Sequence, residues 1–147
     1  TYHYRLRCSA VDDPFDYETC HRVNGPLDLA AMQAAAAHFV GRHDFLALCA
    51  SGSSAAAHGD TVRTITACTV QQDGELYTLS VTADGYLYNM VRILAGTLCE
   101  VGAGRMQPEQ IPGILAGCDR SQAGPTLPAK GLFLKCVEYP DMKENHS

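Results

Sequence analysis

Apolar positions along this chain recur with two different periods. Between residues 28 and 41 they fall at Met32, Ala35, Ala36, Phe39 and Val40, the spacing of one buried helix face. Pro26 and Asp28 stand at its start, with Asp28 as N-cap, and Gly41 marks its expected end. From Val62 the period changes to two. Residues 62–72 alternate, Asp73-Gly74 forms a turn, and residues 75–83 alternate again, which predicts a hairpin. After Asp84-Gly85 the helical period returns over about 89–101, with Met90, Leu94, Leu98 and Val101 as the buried stripe. Gly102 and Gly104 close it, and Pro108 opens a second short helix reaching Gly117. Residues 2–8 and 132–139 read as two further strands.

Between these elements lie polar or small-residue stretches: 12–25, the Ser/Ala/Gly-rich 51–59, and the long Pro- and Gly-bearing 119–130. Asp44-Phe45 begins a short segment expected to pack Phe45 and Leu46. The pattern amounts to about four strands and three helices. It predicts an α+β fold, a mainly antiparallel sheet with helices packed on one face. No repeat or linker divides the chain, so residues 1–140 read as one domain and 141–147 as a polar tail.

Composition adds limits. With 147 residues, 46% of them hydrophobic and 18% charged, the chain is long enough to bury a real core. No apolar run is long enough to span a bilayer, so no membrane partner is expected. A net charge of -5 argues mildly against a free-standing nucleic-acid binder, and the eight arginines among eleven basic residues are scattered. The start at Thr1, already strand-like by Tyr2, reads as the interior of a longer protein. Seven cysteines without a Cys-x-x-Cys pair read as reduced, buried thiols of a cytoplasmic protein rather than a zinc site. Dinucleotide, P-loop, nucleophile-elbow and His-Glu-x-x-His motifs are all absent from the sequence.

Arg92 is the residue that most needs explaining. It sits in the first turn of an apolar helix, either snorkelling to solvent or facing an anion such as a carboxylate or phosphate. Gly96, one turn on, would admit a close backbone or a ligand. Tyr2 and Tyr4 share one face of a strand, as core aromatics or as a ring that stacks on a base with its hydroxyl left for proton transfer. The loop ending at Leu132 is either a plain crossover or a rigid wall for a flat substrate. Asp119-Arg120 reads as a salt bridge at a helix end or as a solvated turn, and His21, His38, His43 and His58 as structural or solvated.

Four segments, in order, resemble the C-terminal half of the TruA-type tRNA pseudouridine synthases. They are Tyr2-His3-Tyr4-Arg5; Gly41-Arg42-His43-Asp44-Phe45; Met90-Val91-Arg92 with Gly96-Thr97-Leu98-Cys99-Glu100-Val101-Gly102; and Asp119-Arg120 through Ala123-Gly124-Pro125-Thr126, Pro128-Ala129 and Gly131-Leu132 to Tyr139-Pro140. The resemblance implies an isomerase that turns uridine into pseudouridine at positions 38–40 of the tRNA anticodon stem-loop, with no cofactor or metal. It implies that Tyr2 stacks on the uracil and helps move a proton, that Arg92 pairs with a catalytic aspartate, and that Leu132 walls the base pocket. The family's aspartate lies in Arg-Thr-Asp-x-Gly, which this sequence lacks. The chain is therefore expected to be one wall of a site, inactive alone, with tRNA, a missing N-terminal domain and a second copy as partners. Arg92 should then lie in an open groove or be paired with a substitute anion, and an exposed apolar sheet surface would favour a homodimer. Two rival readings are a non-catalytic RNA-binding or dimerisation module, and a cysteine-dependent enzyme built on Cys99 or Cys49.

Overall fold

The computed structural model describes residues 1–8, 21–23, 26–50 and 59–134. In chain order they form β1 (Tyr2–Cys8), β2 (His21–Val23), α1 (Leu29–Phe39), β3 (Gly41–Asp44), β4 (Val62–Asp73), β5 (Leu76–Ala83), α2 (Met90–Gly102), α3 (Ile111–Gly117) and β6 (Leu132–Leu134). Short 3-10 turns lie at Leu46–Leu48, Pro108–Gln110, Arg120–Gln122 and Ala129–Gly131. The loops expected over 12–20 and 51–58, and the strand beyond 134, fall outside the described residues.

The sheet runs β2-β1-β5-β4-β3. β5 occupies one edge of β1; the other is shared, with β6 along its first half and β2 along its second. Only the β1–β2 pairing is parallel among the described strands. The mainly antiparallel α+β fold is as the pattern predicts.

One face of this sheet carries the core. Tyr4 and Leu6 on β1, Tyr77, Leu79 and Val81 on β5, and Ile65, Cys68 and Val70 on β4 are all buried. The break in alternation between Ile65 and Cys68 follows from a register shift after Ile65, which turns the later residues back inward. The opposite face is polar: Thr66, Thr69 and Gln71 are exposed, and Thr78, Ser80 and Thr82 half-buried. Among the described residues that face offers no continuous apolar surface of the kind expected. Val40, Val62, Tyr88 and Leu134 are the exposed large hydrophobic residues among those described.

α1 forms as its sequence predicts, Asp28 accepting the Ala31 amide at 3.1 Å and Met32, Ala35, Ala36 and Phe39 facing the core. Val40 does not join that face. The backbone turns extended there (ψ 135°), leaving the side chain 42% exposed. Gly41 follows at φ +119°, a value L-side chains rarely adopt, and starts β3 directly. The hairpin forms with Asp73 paired to Leu76.

α2 departs most from expectation. Instead of one buried stripe it is buried almost all round, and only Arg92 and Glu100 are half-exposed. The loop after α3 lies against its outer side. A Cβ on Gly96 would sit 1.8 Å from the Pro125 carbonyl oxygen, and one on Gly124 would sit 2.6 Å from the Gly96 carbonyl carbon. The Thr97 hydroxyl donates to Ile93 O (2.8 Å) and accepts the Gly124 amide (2.9 Å). The close approach at Gly96 is thus made by backbone. Asp119 and Arg120 form no ion pair with each other. Asp119 caps a 3-10 turn through Ser121, while Arg120 holds the loop at Gly124 O (2.8 Å) and Thr126 Oγ1 (3.1 Å).

Cys8, Cys49, Cys68, Cys99 and Cys118 are free thiols. Burial pushes both Cys68 and Cys99 up to about 12. This is the reverse of an activated nucleophile, and it removes the ground for a reactive Cys99. Native protein at pH 8 should therefore alkylate at neither residue over an hour with iodoacetamide, while urea-unfolded protein labels both; peptide mass mapping distinguishes the two. Linkage has a definite sign. Between the unfolded thiol pKa and about 12 the unfolded chain has released protons that the folded chain retains. Stability is full below pH 8 and falls as pH rises from about 9 towards 12, which urea midpoints would follow.

Candidate active-site cleft

Tyr2 begins β1, flanked by Val81 of β5 and Leu134 of β6. The chain leaving β5 passes through residues 84–89 and enters α2, whose first turn carries Arg92. The turn at Ala129–Gly131 delivers Leu132 opposite Tyr4. These connections meet at one end of the β1–β5 pair. They enclose a cleft of about 500 Å³, lined by Tyr2, Tyr86, Tyr88, Asn89, Arg92 and Leu132 among others. Tyr2, Arg92 and Leu132, far apart in sequence, thus share one concavity of a size suited to a small ligand.

The two tyrosines of β1 have separate fates. Tyr4 is fully buried, its hydroxyl donating to Pro128 O and its ring pressed on Gly131, where a Cβ would come within 2.8 Å. Burial raises its pKa, so it stays a neutral donor. Tyr2 is half-buried and edge-on to Tyr86, with ring centroids 4.8 Å apart and planes at 83°. Tyr86 is itself fixed, accepting from the Ala83 amide and donating to Val81 O, both at 3.0 Å. No group among the described residues bonds the Tyr2 hydroxyl.

Arg92 is half-buried in the cleft wall. Its Nε donates to Leu127 O at 2.6 Å, and Nη1 donates to Asn89 Oδ1 at 2.9 Å. The Leu127 amide in turn reaches Arg92 O at 3.3 Å, so loop and arginine are joined at two points. Both side-chain acceptors are neutral. No ion pair among the described residues involves Arg92. A cation in the first turn also opposes the helix dipole, whose positive end lies there. Guanidinium and dipole together make this wall a place for an anion, with three N–H donors of the guanidinium still available.

Sequence reasoning did not single out Tyr86 or Asn89. Two tyrosines two apart just before a helix carry no distinctive pattern, and Asn89 reads as an ordinary helix start. A second cavity, about 450 Å³, is lined by His38, His43, Asp44 and Cys118. His43 there is held on Val40 O, and Asp44 on the Leu46 amide and the Thr61 hydroxyl. Among the described residues no cluster of three His, Cys, Asp or Glu could hold a metal ion.

An aromatic ring, an apolar wall and a guanidinium with no ion pair among the described residues line one cleft. Residues 35–140 match the family described as tRNA pseudouridine synthase, and the chain belongs to that family. It is 45% identical over 138 residues to tRNA pseudouridine synthase A of Moorella thermoacetica, covering 94% of this chain and 55% of that protein. The enzyme of the same name from Syntrophomonas wolfei is 48% identical over 116 residues, covering 79% of this chain and 45% of that protein. That from Brevibacillus brevis is 42% identical over 138 residues, covering 94% and 55%. The chain spans about half the length of the curated relatives it matches. No described helix is long and apolar enough to cross a membrane.

Proposed function

We propose that this chain forms one wall of a uridine-isomerising site acting on tRNA, at positions 38–40 of the anticodon stem-loop. Its catalytic carboxylate then comes from a further segment bearing Arg-Thr-Asp-x-Gly, a motif this sequence lacks. The observation that carries this reading is the half-buried Arg92, set among neutral acceptors with no carboxylate paired to it among the described residues. A carboxylate brought to the free N–H groups would be held ionised at neutral pH. It could then act on the sugar or the base while the base leaves C1′, turns, and rejoins through C5. Tyr2, steered by Tyr86, offers a face for the uracil and a hydroxyl for the proton shift at carbon; Leu132 closes the apolar side. The reading needs no metal or cofactor. The partners it implies are tRNA, the N-terminal half and a second copy of the protein.

Pseudouridine formation on unmodified tRNA tests this, comparing the chain alone with the chain joined to a segment carrying Arg-Thr-Asp-x-Gly. Activity in the joined form only is the expected result. Turnover by the chain alone would refute the half-site. No turnover in either would leave a non-catalytic RNA-binding or dimerisation module as the better description. In the joined form, Tyr2→Phe keeps the ring and loses the hydroxyl, and should lower kcat by about a hundredfold with little change in KM. Tyr2→Ala should also raise KM, since lost base stacking is worth ~1–3 kcal/mol.

A further inference from the structure

The way Arg92 is held singles out Asn89. This residue occupies the N-cap position of α2 with φ +63° and ψ +11°, in the left-handed region. Only Cys118 shares that conformation among the described non-glycine residues. An asparagine at an N-cap ordinarily has extended backbone and lends its side-chain oxygen to an amide of the first turn. Asn89 does neither: no cap bond is made, and its Oδ1 accepts from Arg92 Nη1 at 2.9 Å. Left-handed backbone outside glycine gathers where surrounding structure enforces it for a purpose. The enforcement is visible here, because the Met90 amide bonds Leu87 O at 3.0 Å and the Ala50 amide bonds Tyr88 O at 3.2 Å, pinning the turn on both sides.

We propose that Asn89 is a positioning residue for Arg92. On the reading of Arg92 as partner of a carboxylate, the two neutral acceptors take distinct roles. Leu127 O takes Nε and fixes the reach of the side chain. Asn89 Oδ1 takes one hydrogen of Nη1 and fixes rotation of the guanidinium plane. The remaining donors, on Nη1 and Nη2, are left turned for two parallel bonds to a carboxylate. A neutral amide suits this role because it orients the cation without neutralising it. An acid at this position would occupy the donors meant for the incoming group.

Asn89→Gly separates this role from that of a turn residue. Glycine accepts the left-handed backbone with less strain, so the fold should keep or raise its melting temperature while the amide is lost. The readout is the Arg92 Nε–Hε resonance, assigned by its disappearance in Arg92→Lys and titrated with acetate at constant ionic strength. Wild-type protein should show a saturable shift. Asn89→Gly should weaken acetate binding by about tenfold, the scale of one hydrogen bond to a charged group. Asn89→Asp also tolerates the turn, and the introduced carboxylate should abolish the acetate response. An acetate affinity in Asn89→Gly within twofold of wild type, with an unchanged melting temperature, would overturn the proposal. So would a wild-type-like response in Asn89→Asp. Because the measurement needs neither tRNA nor turnover, failure of the isomerase reading would appear only in the pseudouridine assay and leave this result standing.

Discussion

Arg92→Lys is expected to lower pseudouridine formation by at least about a hundredfold in the chain joined to the carboxylate-bearing segment. That corresponds to about 3 kcal/mol of barrier. The reason is geometric rather than electrostatic. Lysine retains the charge, but one ammonium cannot reach Leu127 O and Asn89 Oδ1 and still present two parallel donors to a carboxylate. Stability should fall only modestly, by roughly 1–2 kcal/mol, because Leu127 O and Asn89 Oδ1 lose their donors. Removing the charge altogether would offset part of that loss by ~0.3–1 kcal/mol, since Arg92 is a cation at the positive end of a helix with no ion pair among the described residues. Arg92→Gln, which drops the charge, should be as inactive and slightly more stable in urea than Arg92→Lys. A large fall in melting temperature accompanying the loss of turnover would instead mean that Arg92 is a structural residue whose effect on chemistry is indirect.

Gly96→Ala should be the most damaging glycine-to-alanine change among the described residues. The added carbon would lie 1.8 Å from Pro125 O and 2.9 Å from Pro125 C. These are backbone atoms, so no side-chain rotation relieves the clash; the loop must lift from α2. Lifting it breaks the Thr97–Gly124 bond and draws Leu127 away from both its contacts with Arg92. A destabilisation of about 3 kcal/mol or more is expected, at the upper end for overpacking. That lowers the melting temperature by roughly 10 °C in a domain of this size. The better helix propensity of alanine returns only ~1 kcal/mol. Urea unfolding measures the difference, and a loss below about 1 kcal/mol would show that the loop is held to α2 far more loosely than the contact distances imply.

Legibility of the fold tracked how local the controlling interactions are. The β4–β5 hairpin, the Asp28 cap and the extent of α2 are set within a dozen residues, and alternation, capping chemistry and helical period reveal them. β2 and β3 are not visible that way. Each is three or four mostly polar residues whose strand character comes from distant partners, Leu6 for His21 and Ile65 for Gly41. The full burial of α2 has the same origin, since its outer face is covered by a loop about thirty residues later in sequence. Gly96 announced a close approach, but nothing in the pattern named Pro125 as its occupant. In the cleft, Arg92 stood out by its cost in an apolar helix. Tyr2 and Leu132 entered through family resemblance, because alternation alone cannot tell a cleft residue from a core one such as Tyr4. Tyr86 and Asn89 matter through geometry that appears only once the turn before α2 is built.

The divided edge of β1 bears on the order in which the molecule is made. Tyr2 pairs with Val81 on one side and Leu134 on the other. Of the strands described, the first to leave the ribosome is therefore the last to be locked in place. Hairpin β4–β5 and helix α2 can assemble as they emerge, but β1 must wait until β6 is made for the last of its three neighbours. The cleft lined by Tyr2, Arg92 and Leu132 is consequently complete only once β6 has joined β1. A nascent chain halted before residue 127 would hold the arginine in its helix and lack both the bond to Leu127 and the wall that Leu132 completes, so the finished cleft appears late.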